Sequence, residues 1–197
     1  MKTFETFNLR SPTDWPEDIG LAIPSDITAD DIPDKLIELY LRFYHLDYIN
    51  KFGTSCVLMS SLLRRIMRLH HIPAEMKQVI LYWRNDIKGY HLLIGSPRHD
   101  DEMEQSKIDL HMVVKSGDWL LDFAASPLHY RYGYTAPRGI IMPWTKSMEQ
   151  HYVDLGIAGK ASYVENTLPH PKLNNWRYTQ RQDVLDFTKE YFERYAL

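Results

Sequence analysis

Apolar positions fall into periodic runs only after an interrupted first stretch. Through residue 33, Pro12, Pro16, Pro24 and Pro33 break any regular spacing. That predicts an irregular arm with one or two turns of helix. Pro33 followed by Asp34 suits a helix start. From 34 to about 49, Ile37, Leu39, Tyr40, Leu41, Phe43 and Tyr44 give a helical apolar face. A second helix is expected over 56–70, with Thr54 or Ser55 as N-cap. Val57, Met59, Ser60, Leu63, Met67 and Leu69 spread around its circumference, and Leu58, Leu62 and Ile66 add a stripe. A helix apolar on most sides is usually buried. Arg64, Arg65 and Arg68 fall near its C-terminal end, which favours positive charge, and Pro73 stops it.

The period then changes to that of strands. Residues 75–83 and 89–94 read as two strands, and 95–107 as an exposed polar, acidic loop. Residues 108–114 and 119–123 form the arms of a hairpin around Ser116-Gly117-Asp118. With Ser116 and Gly117 at the turn centre, His111 would lie opposite Asp122, about 5 Å away on one face. A short last strand is expected at 140–144, an irregular stretch at 151–176 and an amphipathic helix at 183–195. The reading is α+β: an arm over 1–33, then one domain over 34–197 with its core at 50–145.

Composition narrows the function. The 197 residues carry a net charge of −3, which gives no electrostatic reason to expect nucleic acid. No run approaches the roughly 18 apolar residues that span a bilayer, so no membrane partner is expected. Residues 1–7 hold no apolar stretch of the kind a secretory signal has. One cysteine excludes an intramolecular disulfide, and a reducing cytoplasm is the expected location.

That cysteine, Cys56, opens the second helix. A lone cysteine is most often a small buried apolar residue. A helix N-terminus, however, favours negative charge, and thiolate is the reactive form. Downstream, His111 and Asp122 complete an ordered set for thiol chemistry: imidazole to take the proton, carboxylate to orient the ring.

The text around these residues resembles the transglutaminase-like branch of the papain-type thiol enzymes. The first block is Gly53-Thr54-Ser55-Cys56, running through Leu62-Leu63-Arg64-Arg65 to His71-Ile72-Pro73-Ala74. The second is His111-Met112-Val113-Val114, then Gly117 and Trp119-Leu120-Leu121-Asp122. The helix segment is also similar to small leader-peptide proteases of that superfamily. The resemblance implies a papain-like core, with a buried Cys-bearing helix packed on an antiparallel sheet that carries His and Asp. It further implies Cys56 as nucleophile, His111 as base and Asp122 as the orienting carboxylate, with no cofactor. The chain departs from the family's pattern at Met112, at Phe123-Ala124 and in a longer Cys-to-His spacing.

Other residues compete for roles. His91 lies in a strand pattern and is an alternative base. Asp109 shares the parity of His111 and is an alternative orienting group. His70 and His71 are adjacent, so they point about 100° apart and make a poor metal pair. With one cysteine and no helical His-x-x-x-His or Glu-x-x-His, no metal site is expected. Trp119, Tyr130, Arg131, Tyr132 and Tyr134 are candidates for the wall of a substrate groove, with Arg138 nearby. The expected function is acyl transfer at an amide bond of a peptide or protein: protease, amidase, deamidase or transamidase. The alternative is a catalytically silent peptide- or protein-binding module on the same fold. Acyl-CoA-type transfer fits less well, because the C-terminal part is short. Oligomeric state is open.

Overall fold

The structure, a computed structural model, describes residues 21–52, 55–87, 89–95, 104–105, 110–125, 137–144, 152–168 and 170–195. The fold is α+β, with helices on one face of a curled, largely antiparallel sheet. Helix α1 is Asp34–His45, α2 is Tyr48–Phe52 and α3 is Cys56–Leu69. After the strands come α4, Leu173–Thr179, and α5, Arg181–Arg194. No described helix is long and apolar enough to cross a membrane.

The single helix expected over 34–49 is two. Asp47 sits at φ 61°, and its carboxylate accepts a 2.7 Å hydrogen bond from Asn50. Aspartate tolerates the left-handed region, so a local cap ends α1 where apolar periodicity alone would continue it. Helix α3 ends more firmly. Ile72 N–H donates to Met67 O and His71 N–H to Arg68 O, with His71 at φ 57°. This is a Schellman closure with histidine in the position glycine usually takes.

The strands are β1 (Leu21–Ala22), β2 (Glu75–Asn85), β3 (Tyr90–Ile94), β4 (Glu104–Gln105), β5 (His111–Ser116), β6 (Trp119–Asp122) and β7 (Gly139–Pro143). Two more follow, β8 (Val153–Asp154) and β9 (Lys160–Glu165). They lie in the order β1-β7-β6-β5-β2-β3-β4, with β9 also paired to β2 and to β8. Long β2 is the hub. Its first half pairs with β5 (Val79 with His111) and its second half with β3 (Leu81 with Ile94). Its other edge takes β9, with Leu81 opposite Tyr163. The irregular stretch expected at 151–176 therefore contains a sheet strand. Within the expected arm, Leu21 and Ala22 pair in parallel with Gly139 and Ile140.

The β5–β6 hairpin turns at Gly117-Asp118, because Ser116 pairs with Trp119. Gly117 stands at φ 57°, which a tight hairpin needs at its first central residue and Ser116 would resist. The expected pairing of His111 with Asp122 is thus corrected by two residues: Asp122 aligns with Val113. A two-residue shift preserves side-chain parity, so both groups keep to one face.

Two cores result. Helices α1, α2, α3 and α5 pack Leu36, Tyr40, Phe43, Leu62, Ile66 and Tyr191 against Val114, Leu121 and Ile141 of the sheet. The opposite face closes on itself through Val79, Leu81, Trp83, Val113, Ile140 and Tyr163.

Candidate active site

Cys56 is the first residue of α3 and is only partly exposed. Sγ lies 3.5 Å from Leu110 O, and Cys56 interacts electrostatically with the neighbouring His111 ring. Of the two expected N-caps, Thr54 lies outside the described residues. Ser55 holds the cap position, yet its side chain makes no capping bond. Its hydroxyl instead accepts from Gln180 Nε2 at 3.2 Å, leaving the first amides of α3 uncapped by it. Val57, Leu110 and Met112 form an apolar wall beside the thiol, joined by Met76, Leu173 and Trp176.

His111 opens β5 and is 2% exposed; Asp122 closes β6 and is fully buried. His111 Nε2 stands 2.6 Å from Asp122 Oδ2. With Nε2–H given to the carboxylate, Nδ1 is the ring nitrogen left for the sulfur. Asp122 Oδ1 accepts the Ala124 N–H at 2.9 Å.

A fourth residue, which the sequence reading passed over, completes the arrangement. Tyr163 OH donates to Asp122 Oδ2 at 2.7 Å, and its ring stacks near His111 with centroids 6.5 Å apart and planes 21° apart. Strand pairing explains the meeting. Val79 and Leu81 lie two apart on β2 and so share a face. Their partners His111 and Tyr163 flank them on that face from opposite edges. Asp122 joins from β6 through the preserved parity of the hairpin.

The charges follow from this packing. Burial opposes a proton on His111 more than any single other influence does. The Asp122 carboxylate, the hydrogen bond to it and the contact with Cys56 together outweigh burial and raise His111 to about 10. Burial, reinforced by the Asp122 charge, pushes Tyr163 well above the usual phenol range, so it stays a donor. The site can therefore hold an imidazolium between a carboxylate and a sulfur.

Backbone geometry fixes the ring. Gly95, directly after β3, stands at φ 85°, where β3 gives way to β5 along one edge of β2. A Cβ there would lie 2.5 Å from Val79 O and 3.0 Å from both Cβ and N of His111. Only glycine lets the chain pass this close to the histidine.

The other candidates are placed elsewhere. His91 is exposed on β3 opposite Arg84, on the sheet face away from His111. His70 contacts Tyr191 OH at 3.2 Å at the far end of α3, and His71 is exposed. Trp119 lies at the turn end of β6, three residues from Asp122, so its side chain takes the opposite face, packed on the helical core. It does not join the triad as a groove wall. Tyr130, Arg131, Tyr132, Tyr134 and Asp109 lie outside the described residues. Arg138 reaches Asn50 Oδ1 at 3.3 Å. Among the described residues no group of three or more His, Cys, Asp or Glu stands together as a metal site.

No family model and no curated protein matches the chain. A crystal structure from a structural-genomics effort is similar over 81% of this chain and 79% of its own, at 16% identity and a TM-score of 0.47.

Proposed function

We propose that the protein is a thiol-dependent acyl-transfer enzyme acting on an amide bond of a peptide or protein, built on a transglutaminase-like, papain-type core. The observation that carries this reading is the buried His111 ring bound to Asp122 at 2.6 Å, with the Cys56 side chain close enough to influence its charge. A buried imidazole bound to a carboxylate, with a thiol beside it, is the set of groups that nucleophilic thiol chemistry uses.

In this reading Cys56 attacks the amide carbon as a thiolate paired with the His111 imidazolium, whose second proton sits on Nδ1. Negative charge moves to the carbonyl oxygen, which the Cys56 N–H at the start of α3 is placed to receive. The Gln180 side-chain amide, beside Ser55, is the candidate for a second donor. Collapse breaks the C–N bond, and the proton on His111 leaves with the amine. Water then attacks the thioester, giving a proton to His111, and the carboxylic acid is released as the C–S bond breaks and the thiolate–imidazolium pair is restored. An amine in place of water gives a new amide. Asp122 keeps the ring in one tautomer throughout. No cofactor enters this scheme, and a reducing compartment such as the cytoplasm would keep the thiol usable.

The binding-module alternative rests on one observation: Leu173 and Trp176 of α4 pack into the cluster that holds Cys56. A covered thiol suits a groove that binds without cutting. Alkylation by chloroacetamide, followed by mass spectrometry, separates the two. The enzyme reading expects Cys56 to react at neutral pH at least about ten-fold faster than a free cysteine, and His111→Ala to remove the excess. A rate equal to that of free cysteine, unmoved by His111→Ala, would sink the enzyme reading.

A further inference from the structure

Next to the apolar cluster at Cys56, α3, the first half of β2 and α4 line an open cavity of 390 Å³. Three arginines line it: Arg64 and Arg68 from α3 and Arg177 from α4. Among the described residues none of the three guanidiniums has a carboxylate within ion-pair distance; the Arg177 Nη2 contact with Met76 Sδ, at 4.0 Å, is a weak one. Glu75 also lines the cavity, but its carboxylate is held by Lys77 Nζ at 2.9 Å. Burial, then the neighbouring charges of Arg68 and Arg177, lower the proton affinity of Arg64. Glu75 offsets part of the charge at Arg64, and the three arginines still leave the lining net positive, which favours an anion.

The cavity continues the site already described. Met76, Met112 and Leu173 line it and also belong to the apolar cluster around Cys56. Val57, Ser61, Arg64 and Arg68 follow one another at helical spacing along α3, a stripe leading away from the thiol end. Arg64 and Arg68 stand eight and twelve residues beyond Cys56, about 12 and 18 Å along the axis. An extended peptide advances about 3.3 Å per residue, so about four or five residues cover the distance.

We infer that this cavity is a specificity subsite, taking an anionic side chain four or five residues from the amide on which Cys56 acts. The occupant is a peptide bearing a carboxylate or a phosphate, either of which a guanidinium fork grips in two-pronged fashion. The subsite rests on the acyl-transfer reading for its purpose, but not for its test.

Two series of hexapeptides carry an electrophile, a chloroacetyl group at the N-terminus or a chloromethyl ketone at the C-terminus. Asp, phosphoserine or Asn is walked through each position, and the rate of Cys56 alkylation is followed by mass spectrometry. The readout is the ratio of the acidic to the Asn peptide at each position, which reports the subsite whatever the absolute reactivity of the thiol. A maximum of about ten-fold is expected at the fourth or fifth residue of one series, shrinking in 1 M salt. Arg64→Gln and Arg177→Gln should bring it close to one, and Lys189→Gln, which removes an exposed charge on α5, should keep it. The Asp and phosphoserine arms tell which anion the cavity prefers. Ratios flat along both series, or a maximum that survives both arginine substitutions, overturn the inference. Plain chloroacetamide reacting with Cys56 no faster than with free cysteine sinks the enzyme reading instead.

Discussion

Asp122 accepts three hydrogen bonds: from His111, from Tyr163 and from the Ala124 amide. Each donor fixes one direction, so the carboxylate cannot turn away from the imidazole without breaking another bond. Tyr163 is thus a positioning residue that acts on His111 through Asp122. Removing its hydroxyl in Tyr163→Phe should cost on the order of 2 kcal/mol of stability, as for a buried hydrogen bond to a charged group. Cys56 alkylation should slow several-fold, and the acid limb of its pH–rate profile should move to higher pH, since a less firmly held imidazolium supports the sulfur anion less well. A purely structural role would lower stability and leave that limb in place. That His111 and Asp122 share a face was legible in the sequence, because hairpin parity alone sets it. Tyr163 was not, because it reaches Asp122 only through the pairing of its strand with β2.

At the scale of elements, the site depends on how strand ends are anchored. Phe123 follows Asp122 directly. Its ring meets Tyr40 edge-on at 5.0 Å and Phe43 at 5.5 Å, which ties the end of β6 to α1. Phe123 is therefore an anchor beside Asp122. Gly95 does the corresponding task at the start of β5. Gly95→Ala combines an unfavourable φ with a Cβ pressed on Val79 O and on His111. It should destabilise the fold by about 1–3 kcal/mol and slow Cys56 alkylation, because the backbone that gives way carries the imidazole. Thermal melts alongside alkylation rates test this; full reactivity with only a lowered Tm would show that His111 is held independently of the β3–β5 junction. The helices and most strands were legible from periodicity. Strand β9 was hidden because Ala161 and Ser162, both buried, are too small or too polar to mark an apolar face. The break at Asp47 was hidden because a backbone cap decides it and side-chain pattern does not.

For the whole molecule, the consequence of this layout is a charged pair buried against the curled sheet. Sequence could place His111 and Asp122 on one hairpin, but not the fact that β3 and β5 share one edge of β2 while β9 takes the other. That arrangement closes the sheet over the pair and buries it. Stability then becomes linked to pH. Folding raises His111 from an ordinary value of 6.5 to about 10. Between those values the folded chain holds a proton that the unfolded chain has released, so stability must fall as pH rises. The contribution is complete below pH 6.5 and is lost on passing through about 10. From pH 7 to pH 9.5 the loss should be on the order of 2 kcal/mol or more, about 5 °C in Tm for a chain of this size. Other groups also titrate in that range, so the proper reference is His111→Gln/Asp122→Asn, which keeps the shapes and removes both charges. Melting curves across the range should show wild type losing about 5 °C more than the double variant. Parallel curves would mean that His111 is neutral when folded, and that the imidazolium on which the proposed chemistry relies is absent from the resting protein.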